Sequence, residues 1–160
     1  MLYYNQKGER KMATKKIVLD MDGTIANLYG VEGWLDMLFA RDTTPYEIAD
    51  PIYEMDELNK CLMDLKNVGF QVAIVSWCAK GGDAEYNFRT KKAKIQWLKK
   101  YNVPVDEIHI VKYGTPKSFC IEGEAILIDD EESNRKEWCH GDTIDANKNF
   151  LKDLKKLLDR

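Results

Sequence analysis

Apolar residues gather in four short runs, KIVLD (16–20), QVAIVS (71–76), EIHIV (107–111) and AILID (125–129). Each is apolar almost throughout, which predicts strands buried on both faces of a parallel sheet. The stretches between them change period. Over 55–68, Met55, Leu58, Leu62 and Leu65 recur at helical spacing, and Gly69 stops the helix. Over 84–101, Tyr86, Ala93, Trp97 and Tyr101 form one stripe, with Asn102 and Pro104 just beyond. A last amphipathic helix is predicted over 147–158. Strand alternating with helix predicts an α/β fold, a doubly wound, Rossmann-like core with a parallel sheet. Residues 16–160 read as one domain and residues 1–15 as a polar lead-in. In such a sheet, ligands bind beyond the carboxyl ends of the strands.

Composition narrows the class. A chain of 160 residues, 44% apolar and 32% charged, suits one globular domain with a real core. The net charge of −3 does not favour polyanions, so nucleic acid is not an expected partner. The basic residues of helix 84–101 (Arg89, Lys92, Lys99, Lys100) accordingly read as a solvated face rather than a track for a backbone. No apolar run approaches the roughly 18 residues of a membrane helix, and none follows MLYYNQKGERKMATKK as a signal peptide requires. Cys61, Cys78, Cys120 and Cys139 form no CxxC pair. They read as free thiols, which points to a reducing cytoplasm. Cys139-His140, without partners, reads as a surface loop rather than a metal pair.

The strand ends carry the chemistry. The first strand ends in Asp20, with Asp22 two residues on; the second ends in Ser76; the fourth ends in Asp129-Asp130. Lys117 lies ahead of the fourth, in KYGTPKSF. Several carboxylates buried together are costly unless a cation joins them. Oxygen donors alone favour Mg²⁺ over zinc. One carboxylate can attack phosphorus, and a second can protonate the leaving oxygen and later activate water. Asp22-Gly23 taken alone is also good turn chemistry, and Ser76 is also a fair helix cap. Lys112 is a rival to Lys117.

DMDGT (20–24), a strand ending in Ser76, then Lys117, then ILIDD (126–130) resembles the haloacid dehalogenase (HAD) superfamily of phosphotransferases, with its four motifs in order. The resemblance runs from about Lys16 to Glu137. It implies that Asp20 is the nucleophile and Asp22 the general acid/base, with Lys117, at the family's spacing from Asp129, neutralising nucleophile and phosphate. It implies phosphate contacts from Ser76, Trp77, Gly23 and Thr24, and Mg²⁺ held by Asp20, Asp129, the backbone carbonyl of Asp22 and, through water or from the second sphere, Asp130. Dehalogenases of the family lack the acid at the Asp22 position and its ion pumps replace it, so the resemblance implies a phosphatase.

Residues 26–54, after the first motif, leave room for a small helical cap. Trp34, Leu35, Leu38 and Phe39 have helical spacing, and Asp42-Thr43-Thr44-Pro45 reads as a turn or a second short helix. Trp34, Phe39, Tyr46 and Trp77 can offer a flat surface to a base, or Trp34, Leu38 and Phe39 can pin the cap to the core. Lys80-Gly81-Gly82 can lend a cation and backbone N–H groups to an anion. DMDGTIAN, a small cap and a closing LIDD are similar to the 5′(3′)-deoxyribonucleotidase branch, which implies a nucleoside monophosphate substrate. Here WCAKGG follows Ser76 where that branch tends to a small residue and proline. The expected partner is a small phosphomonoester. An end-processing polynucleotide phosphatase, a module without turnover and a homodimer with a neighbour over the site all stay open.

Overall fold

The computed structural model describes residues 2–4, 8, 10–12 and 14–159. The segment read as a polar lead-in carries a two-stranded antiparallel ladder, β1 (Leu2–Tyr4) with β2 (Arg10–Met12). The main sheet follows. Its strands are β3 (Lys16–Leu19), β4 (Gln71–Trp77), β5 (Glu107–Val111), β6 (Ala125–Asp129) and β7 (Thr143–Asp145). They lie in the order β5-β4-β3-β6-β7, and every pairing is parallel.

The helices are α1 (Trp34–Phe39), α2 (Thr44–Ile48), α3 (Met55–Asn67), α4 (Ala84–Lys100), α5 (Glu132–Glu137) and α6 (Phe150–Leu157). Alternation along the central strands sorts side chains between two faces. Ile17, Leu19, Val72, Ile74, Ile126 and Ile128 pack with Leu58, Leu62 and Leu65 of α3, Trp97 of α4, and Phe150 and Leu154 of α6. Val18, Ala73, Val75 and Leu127 pack the other way, against Ile121 and Trp138. The chain steps outward from β3 through β4 to β5, then crosses back to β6 and steps outward to β7. The winding therefore reverses between β3 and β6, and the crevice at such a reversal is where α/β sheets bind ligands.

Helix ends follow the sequence closely. After α3, Gly69 adopts φ +106; its N–H reaches Lys66 O and that of Phe70 reaches Leu65 O. Asn102, with φ 54, repeats this Schellman closure after α4.

Two expectations need correction, and one strand went unforeseen. The run at 107–111 is an edge strand: β5 buries only Ile110, and Ile108 is exposed. Its apolar look came from two residues that meet no second layer. The final helix begins at Phe150, because Asn147 is spent on a turn and on the Asp130 carbonyl. Strand β7 was not legible: Thr-Ile-Asp is too short and too polar to show a period, and only the free edge of β6 recruits it.

The insertion between β3 and α3 hangs from a narrow neck. Ala26 pairs with Pro51, Asn27 N–H bonds Asp50 O, and Ile52 N–H bonds Ile25 O. Beyond the neck lie a 3₁₀ turn at Leu28–Gly30 and the short helices α1 and α2. Leu28 and Tyr46 bury against Ala79, Tyr86 and Ala93, with Trp34 and Leu38 packed on that cluster.

Candidate active site

Asp20 continues β3 by one residue, its N–H bonded to Ile128 O. The chain then turns tightly, and the N–H groups of Thr24, Ile25 and Ala26 all converge on Met21 O. Gly23 makes the turn possible. It has φ +81, and a Cβ there would run into the Asp130 carboxylate and the Tyr29 ring. This close approach brings the two carboxyl-bearing loops, after β3 and after β6, against each other.

Lys117 binds them together. It stands on a 3₁₀ turn, Lys117–Cys120, and is buried. Its Nζ donates to Asp20 Oδ1 at 2.7 Å and to Asp129 Oδ2 at 2.6 Å. Thr24 Oγ1 donates to Asp20 Oδ2 at 3.2 Å. Asp129 is fully buried; its Oδ1 accepts Glu131 N–H at 2.8 Å and its Oδ2 accepts Asn134 Nδ2 at 3.1 Å. Arg135 Nη1 holds the Asp129 carbonyl at 2.8 Å. Lys112, its sequence rival, is exposed.

A second buried lysine completes the group. Lys94 of α4 is 1% exposed. Its Nζ donates to Asp22 Oδ2 at 2.6 Å, to Ser76 Oγ at 2.8 Å and to Trp77 O at 2.7 Å.

Four carboxylates thus face two ammonium groups, two negative charges in excess. The titrations reflect it. Burial pushes Asp22 above the ordinary carboxylate range, against the pull of Lys94. Burial and the charge of Asp20 push Asp129 up, against Lys117. Burial, Asp20 and Asp129 push Asp130 up to about 8. Lys117 is raised: burial opposes its charge, but Asp20 and Asp129 outweigh that.

The donor set fits a hard divalent cation. Asp20, Asp129 and Asp130 offer ligand oxygens all within 4.8 Å of one another, with no imidazole or thiolate in the group. Such all-oxygen sets suit Mg²⁺, and two positive charges would balance the excess. The Asp22 carboxylate is not in the group; its Oδ2 accepts from Lys94.

Above the carboxylates lies a cavity of about 450 Å³. Asp20, Asp22, Lys117 and Asp130 form part of its floor, and Tyr29, Trp34, Tyr46, Trp77 and Tyr113 its aromatic walls, with Lys80 also on its lining. Trp34 stands edge-on to Tyr29 at 5.1 Å between ring centres. Trp77 packs on Tyr113 at 4.9 Å and is pinned by its Nε1–H to Thr115 O.

The chain matches no family model and no curated protein. It does match solved structures. A candidate HAD-like phosphatase from Mesorhizobium loti superposes with a TM-score of 0.50 at 12% identity, over 91% of this chain and 86% of that one. D,D-heptose 1,7-bisphosphate phosphatase from Burkholderia thailandensis gives a TM-score of 0.48 at 15% identity, over 76% of this chain and 70% of that one. The fold is HAD-like. At such identities the likeness speaks for the fold alone.

Within this HAD-like core, the sequence-predicted residues divide. Asp20, Asp22, Lys117, Asp129 and Asp130 come together, and Trp77, Lys80, Trp34 and Tyr46 line the cavity. Three predicted phosphate ligands do not reach it. Gly23 N–H is bonded to Ala26 O, and the Thr24 hydroxyl to Asp20 and Asp130, so both hold the loop. Ser76 is buried with its Oγ on Lys94. Phe39 neither stacks in the cavity nor pins the cap; it is 75% exposed on the outer side of α1. The Cys139-His140 pair stays a loop, with His140 Nε2 bonded to Ser118 O. Sequence reasoning missed Lys94, Tyr29, Tyr113 and Asn134. For Lys94 the signal was present: Tyr86, Thr90, Lys94 and Trp97 are all buried on one side of α4, so a lysine occupies a core position.

Among the described residues, no helix is long and apolar enough to cross a membrane.

Proposed function

We propose that the protein is a phosphomonoesterase that works through an aspartyl-phosphate on Asp20. One observation carries the reading: two acids lining one cavity are each tied to a buried lysine, Asp20 to Lys117 and Asp22 to Lys94. A turn built for stability alone would not gather four carboxyl groups at one point, with Asp20 and Asp129 buried.

In this reading Asp20 attacks phosphorus while Lys117 and Thr24 hold its carboxylate in place. Asp22 gives a proton to the leaving oxygen as the P–O bond breaks. It then takes one from the water that cleaves the aspartyl-phosphate and releases inorganic phosphate. Asp20, Asp129, Asp130 and the Asp22 carbonyl would hold Mg²⁺, which supplies charge neutralisation for the phosphoryl oxygens. Lys117, between Asp20 and Asp129, adds a fixed positive charge at the same place.

The substrate is a small phosphomonoester carrying a flat apolar group, and a nucleoside monophosphate fits best. Tyr29, Trp34 and Tyr46 from the insertion and Trp77 and Tyr113 from the core supply faces for a ring, and Lys80 a cation for a polar substituent. The helical insertion acts as a small cap over the site.

Phosphate release from a panel of deoxy- and ribonucleotides, sugar phosphates and a 3′-phosphorylated oligonucleotide, with Mg²⁺ and with EDTA, tests this. Metal-dependent turnover of nucleoside monophosphates is expected. Turnover of the oligonucleotide alone would make the protein a polynucleotide-end phosphatase. Silence across the panel in protein that still binds Mg²⁺ would make it a binding module.

A further inference from the structure

We infer that Lys94 is a positioning residue of the reaction, holding Asp22 in the hydrogen-bonding state that proton transfer requires; this rests on the phosphomonoesterase reading above. The Lys94 ammonium has three protons and three acceptors, Asp22 Oδ2, Ser76 Oγ and Trp77 O, at 2.6, 2.8 and 2.7 Å. None is left for a ligand, and Lys94 is absent from the cavity wall that Asp22 forms. It acts from behind Asp22.

Each bond has a consequence for the group that accepts it. With Oδ2 of Asp22 committed to an ammonium, the proton that Asp22 delivers and recovers rides on Oδ1. The bond to Trp77 O fixes the ammonium to the end of β4. The Tyr46 ring of α2 covers it, with Nζ 4.8 Å from the ring centre. One side chain therefore ties the loop after β3, the end of β4 and the insertion to the proton-carrying carboxylate.

Packing alone does not explain a lysine here. A buried ammonium loses several kcal/mol of hydration, and an apolar side chain of similar length would fill the position at less cost. What only lysine supplies is a fixed three-way donor.

The test compares kcat/KM for native protein and Lys94→Met across substrates of graded leaving group: aryl phosphates from dinitrophenyl to phenyl, and the best alkyl ester of the panel. Native-like thermal unfolding is checked first. Lys94→Gln, which keeps donors but drops the charge, carries the same comparison where the methionine variant does not fold. A dinitrophenolate leaves without a proton, whereas phenolate and alkoxide depend on one. The expected loss is about 100-fold on phenyl and alkyl esters and less than about tenfold on the dinitrophenyl ester, the scale of general-acid assistance. In an Asp22→Asn background, Lys94→Met is expected to add little further loss, since the group it positions is gone. Uniform loss across the series, or no loss, overturns the assignment and leaves the phosphatase reading intact. A native protein inert on every ester overturns that reading and this inference with it.

Discussion

The rim of the sheet and the helical insertion face the same cavity and are built by opposite rules. At the rim, Asp20, Thr24, Ser76, Lys94, Lys117, Asp129 and Asn134 are all buried, and each is hydrogen-bonded to another of them. In the insertion, α1 buries no residue and α2 only Pro45 and Tyr46, while Leu35, Phe39 and Ile48 stay exposed. Polar groups in the core must be fully partnered, so their geometry is over-determined. Of the insertion's aromatic side chains, Tyr29 and Trp34 line the cavity while partly open to water, and Tyr46 is buried. In the proposed reading the chemistry belongs to the buried rim and substrate choice to the more exposed insertion.

Replacing Asp20, the proposed nucleophile, tests the rim most severely. Asp20→Asn is expected to lower kcat by at least about 10³-fold on any substrate, while no insertion residue reaches that figure. Steady-state phosphate release measures it, and residual turnover within tenfold of native would remove Asp20 as the nucleophile.

Stability separates the regions next. Lys117→Met leaves Asp20 and Asp129 buried without their counter-charge, so a loss of about 3–5 kcal/mol in urea unfolding is expected. A loss under 1 kcal/mol, on the scale of an exposed pair, would mean that the rim is solvated.

The pH dependence has a definite sign. Asp130 titrates at about 8 in the folded metal-free protein, above its ordinary value of 3.8, and Asp22 and Asp129 are raised too. A carboxyl with a raised folded pKa stabilises the fold below its ordinary pKa, and that contribution is lost as pH rises through the folded value. The lowered groups, Asp42, Asp106, Glu107, Glu124 and Asp145, act in the opposite sense, and only below the usual carboxylate range. Metal-free Tm is therefore expected to fall by several degrees between about pH 4 and pH 8. The Tm gain on adding Mg²⁺ is expected to grow across the same window, because the ion replaces protons. Calorimetry at both ends of the window, with and without EDTA, reads both trends; a flat profile would dissolve the carboxylate group as a metal site.

The insertion's effects are smaller and fall on binding. Trp34→Ala is expected to raise KM about tenfold, close to 1.4 kcal/mol of lost stacking, with kcat little changed. Phe39→Ser, at a side chain outside the cavity, is expected to change stability by no more than about 0.5 kcal/mol and KM not at all. An effect of Phe39 on KM would show that the insertion closes further over the substrate.

Much of this was legible in the chain. Four apolar runs and two helical stripes predict the parallel core, because the three central strands, covered on both faces, carry an uninterrupted apolar signal. DMDGT and ILIDD announce acids at strand ends, because nothing in a core strand requires them. Lys94 was missed for the opposite reason: in a helix rich in lysine, one more lysine looks like surface, and only its place on the buried side of α4 sets it apart. Strand β7 and the exposure of Phe39 depend on neighbours that no local pattern encodes.

The sequence by itself determined the alternation of strand and helix, the acids at the ends of the first and fourth runs, and the small insertion between them, since each is written in contiguous residues. Tertiary structure alone decided that β3 and β6 lie side by side, that Lys94 turns inward to Asp22, and that Ser76 faces a lysine rather than the cavity. Those outcomes follow from burial: a charge enclosed by the fold must find its counter-charge, and which one it finds depends on how distant segments pack.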